Sequence, residues 1–434
     1  MTATTSASPT GLAAEPSLDE FAEECTAFLD ASATPRPPAR DFVWGEGDDD
    51  IALFEEIDPA EELRQLDKAK AWRAQRFDAG LGWITGPAEL GGRGLSAAHE
   101  RLYTSLETRY VVPPQGFFGI GLGMVAPTIL AHATDDVKRA YLPGMYRGDV
   151  VGCQLFSEPG AGSDLAGLQM RAERDGEQWL LNGQKVWTSG AQYSDIGEVI
   201  CRTDADLPKH KGLTGFVVDM HAPGVEVRPL RQMTGGASFN EVFFDEVRVP
   251  DDHRLGDVNQ GWTVALTTLM NERAAIGAGG AGGNTGTVST TRLAEMLRHF
   301  GLAEDPIFRQ ELMELHVRMT VAKLTNQRAM DKIKAGQLPG PELTTAKLAL
   351  TANLTDAAQF IAHVLGPRIT ADTGEWGTYS WAQFVLGTPG MRIAGGSDEV
   401  LRNIISERVL GMPKDPGIDS KTPFRDLKVG TQSG

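Results

Sequence analysis

Basic residues are in short supply in this 434-residue chain: 41 Lys and Arg stand against 58 Asp and Glu, a formal net charge of −17. Nucleic-acid binding needs Lys and Arg clustered to meet phosphates, so that class of partner is excluded. Cysteine is scarcer still. Cys25, Cys153 and Cys201 are unevenly spaced and form no C-x-x-C pair, which argues against a disulfide frame and for reduced thiols in a cytoplasmic protein. The eight His include no H-E-x-x-H, so no metal is expected. No apolar run approaches the roughly 20 residues of a membrane span. The longest candidate, around Gly116–His132, is broken by glycines and Pro127. The opening M-T-A-T-T-S-A-S-P-T lacks the basic-then-apolar order of a secretory signal and the arginines of a transit peptide, and residues 1–16 read as a disordered tail.

What is present suits a globular protein of two or three domains, with 41% apolar residues. Residues 17–150 carry helical periodicity, from L-D-E-F-A-E-E-C-T-A-F-L through A-E-E-L-R-Q-L-D-K-A-K-A-W. Between these stretches, T-P-R-P-P-A-R and the acidic G-E-G-D-D-D read as a solvated linker. D-D-V-K-R-A-Y-L reads as another helix, with Thr134 as its N-cap. From 151 to 255 short β segments alternate with turns, predicting a mostly antiparallel β-barrel or sandwich. From 256 to 413 helical stretches return and predict a four-helix bundle whose last helix begins near Ser397. Residues 414–434 read as a loosely packed tail. The fold class expected is α+β, in the order helical domain, β domain, bundle.

The densest chemistry lies between Cys153 and Gly190. C-Q-L-F-S-E-P-G-A-G-S-D-L-A-G-L is followed by a D-G hairpin and L-N-G-Q-K-V-W-T-S-G. Small residues in S-E-P-G-A-G-S-D allow close backbone approach to a planar or phosphorylated ligand. Trp187 beside Thr188 and Ser189 sets an aromatic wall next to hydrogen-bond donors, which suits a flat heteroaromatic cofactor. By themselves, a glycine turn and a strand tryptophan equally suit an ordinary core.

Both halves, in this order and spacing, resemble the flavin-binding middle domain of the acyl-CoA dehydrogenases. The resemblance extends through F-N-E-V-F-F-D-E-V-R-V-P (Phe239–Pro250), M-N-E-R (Met270–Arg273) and G-G-S-D-E-V-L-R-N-I-I-S-E-R-V-L-G (Gly395–Gly411). It implies FAD at the junction of β domain and bundle, with contacts from Phe156, Ser157, Gly162, Ser163, Trp187, Thr188 and Ser189. Ser397, Asp398 and Glu399 would take the adenosine-pyrophosphate end at a helix N-terminus, although both carboxylates equally suit helix capping. The family also draws an Arg and a Gln from a neighbouring subunit. Arg298 and Gln310 are the candidates, with Arg298 off the usual offset and a solvated helix charge an equal account of it. Shared FAD sites imply a homodimer or homotetramer.

The resemblance further implies oxidation of an acyl-CoA thioester to its trans-2-enoyl product: a carboxylate takes the α-proton and flavin N5 the β-hydride. Many members carry that base just before the C-terminal G-S-D-E-like stretch, where this chain has Gly395. A second group, including isovaleryl- and long-chain-type enzymes, carries it on a bundle helix, at the position of Glu272. Arg273 matches a residue that approaches coenzyme A, Ser163 one that touches both flavin and thioester, and the Gly395 N–H is a donor for the thioester carbonyl. The run A-I-G-A-G-G-A-G-G-N that follows reads as a close helix crossing or a widened acyl pocket. The expected electron acceptor is an electron-transfer flavoprotein. Two alternatives stand: an oxygen-reactive member acting as oxidase or monooxygenase, and a non-catalytic partner subunit of a mixed tetramer.

Overall fold

The computed structural model describes residues 15–38, 42–54, 57–277, 288–334, 344–414 and 421–428. A capping box opens the first helix, α1 (Leu18–Ser32): the Ser17 hydroxyl accepts from Glu20 N while the Glu20 carboxylate accepts from Ser17 N. Asp58 caps α2 (Pro59–Asp78), whose Pro59 sits where a missing N–H does no harm. With α3 (Ala97–Glu107) these helices bury Phe21, Cys25, Leu29, Trp72, Tyr103 and Leu106 together. The short β1 (Thr34–Pro35) pairs with β2 (Tyr110–Val111). A π turn at Gly121–Val125 leads into α4 (Ala126–His132), and Thr134 caps α5 (Asp135–Arg147) as expected.

The barrel or sandwich predicted for the β region is corrected: eight strands form one open sheet. They are β3 (Gly152–Leu155), β4 (Arg171–Asp175), β5 (Gln178–Ser189), β6 (Ile196–Arg202), β7 (Leu213–Asp219), β8 (Val225–Leu230), β9 (Phe239–Pro250) and β10 (Arg254–Leu255). Their order is β10–β7–β6–β4–β5–β9–β8, with β3 added parallel to β6. Closure would need β8 to bond β10, but β10 is two residues long. The outer β8 alternates exposed Glu226 and Arg228 with half-buried Val225 and Val227, as an edge with one face in water should.

The middle of the sheet is covered on both faces. Every residue of β6 is buried, and all of β7 but its last. On one side Ile196, Ile200 and Val217 pack with Val125, Ile129, and Val264 and Ala265 of α6 (Gly261–Gly277). On the other, Val199, Cys201, Phe216 and Val218 join a separate core. The helix that carries Glu272 therefore lies directly on the sheet.

The C-terminal bundle adds α7 (Thr290–His299), α8 (Pro306–Lys334), α9 (Thr344–Leu365), α10 (Ser380–Met391) and α11 (Asp398–Ile404). Helix α9 is its centre: Leu354, Ala357, Phe360 and Ile361 are buried among Leu293, Leu312, Leu315, Trp381 and Phe384. Sequence reading missed α10, because Gly387, Pro389 and Gly390 look like breakers; Pro389 sits in its last turn. The last helix is short, seven residues continued by a π turn at Ile405–Val409. Residues 278–284, most of the glycine run after Arg273, lie outside the described residues. No helix among the described residues is long and apolar enough to cross a membrane.

Two segments, one read as solvated and one as loosely packed, are held against the fold. Behind the acidic stretch, Ile51 and Leu53 are buried in the bundle core. The stretch itself is tied down, since the Asp49 carboxylate accepts from Gly377 N at 2.7 Å and Gly47 O from the Trp376 indole at 2.9 Å. The tail segment 421–428 returns to the β region. Phe424 is buried under the Arg202 guanidinium, 3.7 Å from its ring centroid, Pro423 bridges Pro208, and Arg425 pairs with Asp206 at 2.6 Å. Phe424→Ala is expected to release this segment, raising amide exchange in 421–428 and 203–211 while leaving protection of the β6–β7 core unchanged.

Candidate functional site

The turn after β3 is folded onto β5 by a buried ion pair. Lys185 is fully buried, and its ammonium donates to Glu158 Oε1 at 2.9 Å and to Phe156 O at 3.0 Å. Glu158 also accepts from the N–H groups of Gln169 and Met170 at 2.7 and 3.0 Å. With the Val186 N–H donating to Ser157 O at 2.9 Å, the S-E-P-G-A-G-S-D loop is closed at both ends. Sequence reading missed this pair. Its signal was there: Lys185 shares the strand phase of buried Trp179 and Leu181, where a charge requires a buried partner.

Just past Lys185 the ladder slips against β9, and Trp187 takes φ +62°. That left-handed conformation is unusual for a bulky residue and costs strain. It leaves the indole 56% exposed, edge-on to Phe239 at 5.8 Å. Phe239 in turn meets Phe54, which lies against α10 at Gly387 and Gly390. The next residue turns inward. Thr188 is buried, and its hydroxyl has no hydrogen-bond partner among the described residues. An exposed indole beside a buried orphan hydroxyl fits a planar ligand that stacks and accepts a hydrogen bond, as expected of FAD. Ser157 and Ser189 are half-buried, and a Cβ at Gly162 would meet nothing within 4 Å, so the loop is open on that side.

The second expected cofactor segment meets the first. The Ser163 hydroxyl donates to the Ser397 hydroxyl at 3.3 Å, across 234 residues of chain. Ser397 is the N-cap of α11, accepting from Val400 N. Gly395 and Gly396 before it have φ of +66° and +87°, backbone that favours glycine. Asp398, expected at the cofactor, is engaged elsewhere. It is buried and accepts from Arg392 Nε and Thr351 Oγ1, both at 2.9 Å, with Lys347 Nζ 3.6 Å away. Lys347 also donates to Gly396 O at 2.7 Å. Burial would raise the Asp398 carboxyl, but the hydrogen bonds from Arg392 and Thr351 and the Lys347 charge outweigh it and hold the group below its usual range. Asp398 thus anchors the turn through α9, where the sequence suggests a cofactor contact or a helix cap. Glu399 is exposed and near Arg402 at 3.6 Å.

The remaining candidates are dispersed. Glu272 is half-buried on α6, one turn beyond buried Thr268; the side chain of Arg273 lies outside the described residues. Arg298 is exposed at the end of α7 and pairs with Glu295. Gln310 is exposed on α8 and donates to Glu314 at 3.3 Å. Neither contacts the loop or Trp187 within this chain, among the described residues. A further pair missed from sequence, Lys209 and Arg202, secures the loop's far end: Lys209 donates to both Asp164 oxygens at 2.8 Å, and Arg202 to Ala166 O at 2.6 Å.

Models of the acyl-CoA dehydrogenase N-terminal, middle and C-terminal domains match residues 48–149, 153–247 and 259–410. Acyl-CoA dehydrogenase FadE34 of Mycobacterium tuberculosis is 40% identical over 74% of this chain, which spans only 44% of that protein's length. Acyl-CoA dehydrogenase IpdE1 of the same organism is 36% identical over 82% of this chain and 91% of its own. Among solved structures, the Tcur3481–Tcur3483 steroid ACAD superposes with a TM-score of 0.69 at 26% identity, covering 92% of this chain and 98% of that one. The ChsE4–ChsE5 complex of M. tuberculosis gives 0.64 at 26% identity, covering 94% and 100%.

Two substitutions separate scaffold from contact. Lys185→Met leaves the Glu158 carboxylate buried without its cation and is expected to destabilise the fold by about 3 kcal/mol in denaturant titration. Thr188→Val removes an unpartnered hydroxyl at nearly constant volume. It is expected to leave the cofactor-free protein as stable as wild type and to weaken retention of FAD on gel filtration.

Proposed function

Because this chain belongs to the acyl-CoA dehydrogenase family, whose members are FAD-dependent oxidoreductases, we propose that it oxidises the Cα–Cβ bond of an acyl-CoA thioester to the trans-2-enoyl product with Glu272 as the α-proton base. The observation that carries this is one carboxylate present and another absent: Glu272 on α6, and a left-handed Gly395 at the position other members fill with glutamate. Bound FAD supplies the acceptor for the β-hydride, held by Ser157, Ser163, Trp187, Thr188, Ser189 and Ser397. The chain's own residues do the rest. Glu272 takes the α-proton, the Gly395 N–H donates to the thioester oxygen as charge gathers there, and Arg273 approaches the coenzyme A end. A similar solved structure is named a steroid ACAD, which favours a bulky polycyclic acyl group over a short straight one.

A second reading concerns assembly. Two of the similar structures pair two named proteins each. That favours an oligomer in which this chain joins a copy of itself or a different chain of the same family, with exposed Arg298 and Gln310 offered to a neighbour's flavin. Electrons would then leave to an electron-transfer flavoprotein. Rapid peroxide formation in air would identify an oxygen-reactive member instead, and a colourless preparation that gains FAD only with a second chain would identify a partner subunit.

The deciding experiment is anaerobic titration of the yellow protein with straight-chain, branched and steroid-side-chain acyl-CoAs, beside Glu272→Gln. Wild type is expected to bleach with the bulky thioesters. The variant is expected to bind them yet bleach roughly a thousandfold more slowly, the scale of losing a general base. Rapid bleaching by the variant would remove Glu272 from the role.

A further inference from the structure

One buried acid plays no part in the site described above. Glu198 lies in the middle of β6, in phase with Ile196 and Ile200, and so stands on the sheet face that meets α4 and α6. It is fully buried, and no basic side chain pairs with it among the described residues. Its Oε1 is 2.6 Å from the Thr268 hydroxyl on α6, and that hydroxyl is 2.9 Å from the Thr128 hydroxyl on α4. Thr128 in turn donates to Met124 O, in the π turn, at 2.8 Å.

Counting protons decides the state of this chain of contacts. Each threonine hydroxyl has one proton to give. If Glu198 were ionised it could only accept, so the Thr268 proton would go to it. The single Thr128 proton can then serve Met124 O or Thr268 but not both, so two protons face three short contacts and one contact, of 2.8 or 2.9 Å, has nothing between its oxygens. If Glu198 is a neutral acid, every contact is filled in one direction: Glu198 to Thr268, Thr268 to Thr128, Thr128 to Met124 O. The alternative acceptor for Thr268, Val264 O, is farther at 3.3 Å. A lone carboxylate in such a place would also be very costly without a cation.

We propose that Glu198, held as a neutral acid, is a positioning residue: it locks α6 to the sheet and to α4 through Thr268 and Thr128, and thereby sets where Glu272, one turn along α6, presents its carboxylate. The second half of this statement rests on the assignment of Glu272 as base; the first does not. Burial pushes the Glu198 carboxyl up to about 8, against a lowering by the Thr268 hydrogen bond that applies when Thr268 is the donor. The titratable and charged groups on the elements around it are Cys153 on β3, Arg171, Glu173, Arg174 and Asp175 on β4, Cys201 and Arg202 on β6, Asp219 at the end of β7, His132 on α4, and Glu272 and Arg273 on α6. Burial lowers His132, which bonds Thr267 rather than Thr268.

An acid raised by folding stabilises the fold fully below its ordinary value of 4.5, and that contribution is lost as pH climbs to about 8. Glu198→Gln keeps the shape and an N–H donor but cannot ionise. Against wild type, its denaturation midpoint is expected to gain steadily across that window and then level off. A constant difference, or a wild type that gains with pH, would mean the acid is ionised in the fold and would overturn the first half.

Turnover tests the second half. Glu198→Leu and Thr268→Val each cut the chain of contacts, and each is expected to lower kcat roughly tenfold, as for a base displaced by a fraction of an ångström. KM is expected to stay within about a factor of two, and Glu198→Gln to restore kcat. Unchanged turnover in both cut variants, or Glu198→Gln as slow as Glu198→Leu, would overturn the positioning role. If Glu272→Gln keeps full activity, the base assignment fails instead, and the pH dependence of the Glu198→Gln stability still decides the neutral acid.

Discussion

A lysine with no access to water must be answered by a carboxylate, and where that carboxylate lies sets the rest of the candidate site. Lys185 and Glu158 stand 27 residues apart, so their pairing is a loop closure: it draws the S-E-P-G-A-G-S-D turn across β5 and gives the carbonyl just before the turn, Phe156 O, a donor. The strand reverses its side chains within two residues of that lysine. Trp187 is thrown outward by a left-handed backbone, and Thr188 is carried inward with its hydroxyl unsatisfied. A strained residue and an orphan donor are tolerable together only where the surrounding structure dictates both, and the buried pair is the part of the structure that does so.

The bundle repeats the device. Asp398 is buried among Arg392, Thr351 and Lys347, and Lys347 reaches the Gly396 carbonyl. A turn built from two left-handed glycines has little stiffness of its own; this cluster supplies it from α9, the most buried helix of the bundle. Two turns from distant parts of the sequence, each fixed by a buried charge, then touch at Ser163 and Ser397.

Much of this was legible because local chemistry and the final fold agree. Thr134 and Ser397 cap helices where a hydroxyl precedes an apolar repeat, and the β region and bundle follow their patterns. What was not legible depends on contacts made far along the chain. The acidic loop near Asp49 reads as solvated because its partners, Gly377 and Trp376, lie more than three hundred residues away. Helix α10 is hidden by Gly387, Pro389 and Gly390, which are tolerated because Phe54 fills the space beside the two glycines. The closed barrel failed on a matter of length, since turn spacing says nothing about whether the last strand is long enough to meet the first edge. Asp398 was visible as a residue but not as an anchor, because Lys347 and Thr351 lie on another helix.

The same division explains why a base, if Glu272 is one, belongs on α6. A side chain at Gly395 would sit on left-handed backbone, in a turn already committed to holding Ser397. A helix offers a better mount only if it cannot roll or slide. Hydrophobic contacts such as Val264 and Ala265 against the sheet resist separation but are tolerant of small sliding, because dispersion falls gently with displacement. Directional bonds are not tolerant. The contacts at Thr268 therefore do what apolar packing on the same face cannot: they give α6 one register against β6 and α4, four residues before the carboxylate whose placement matters.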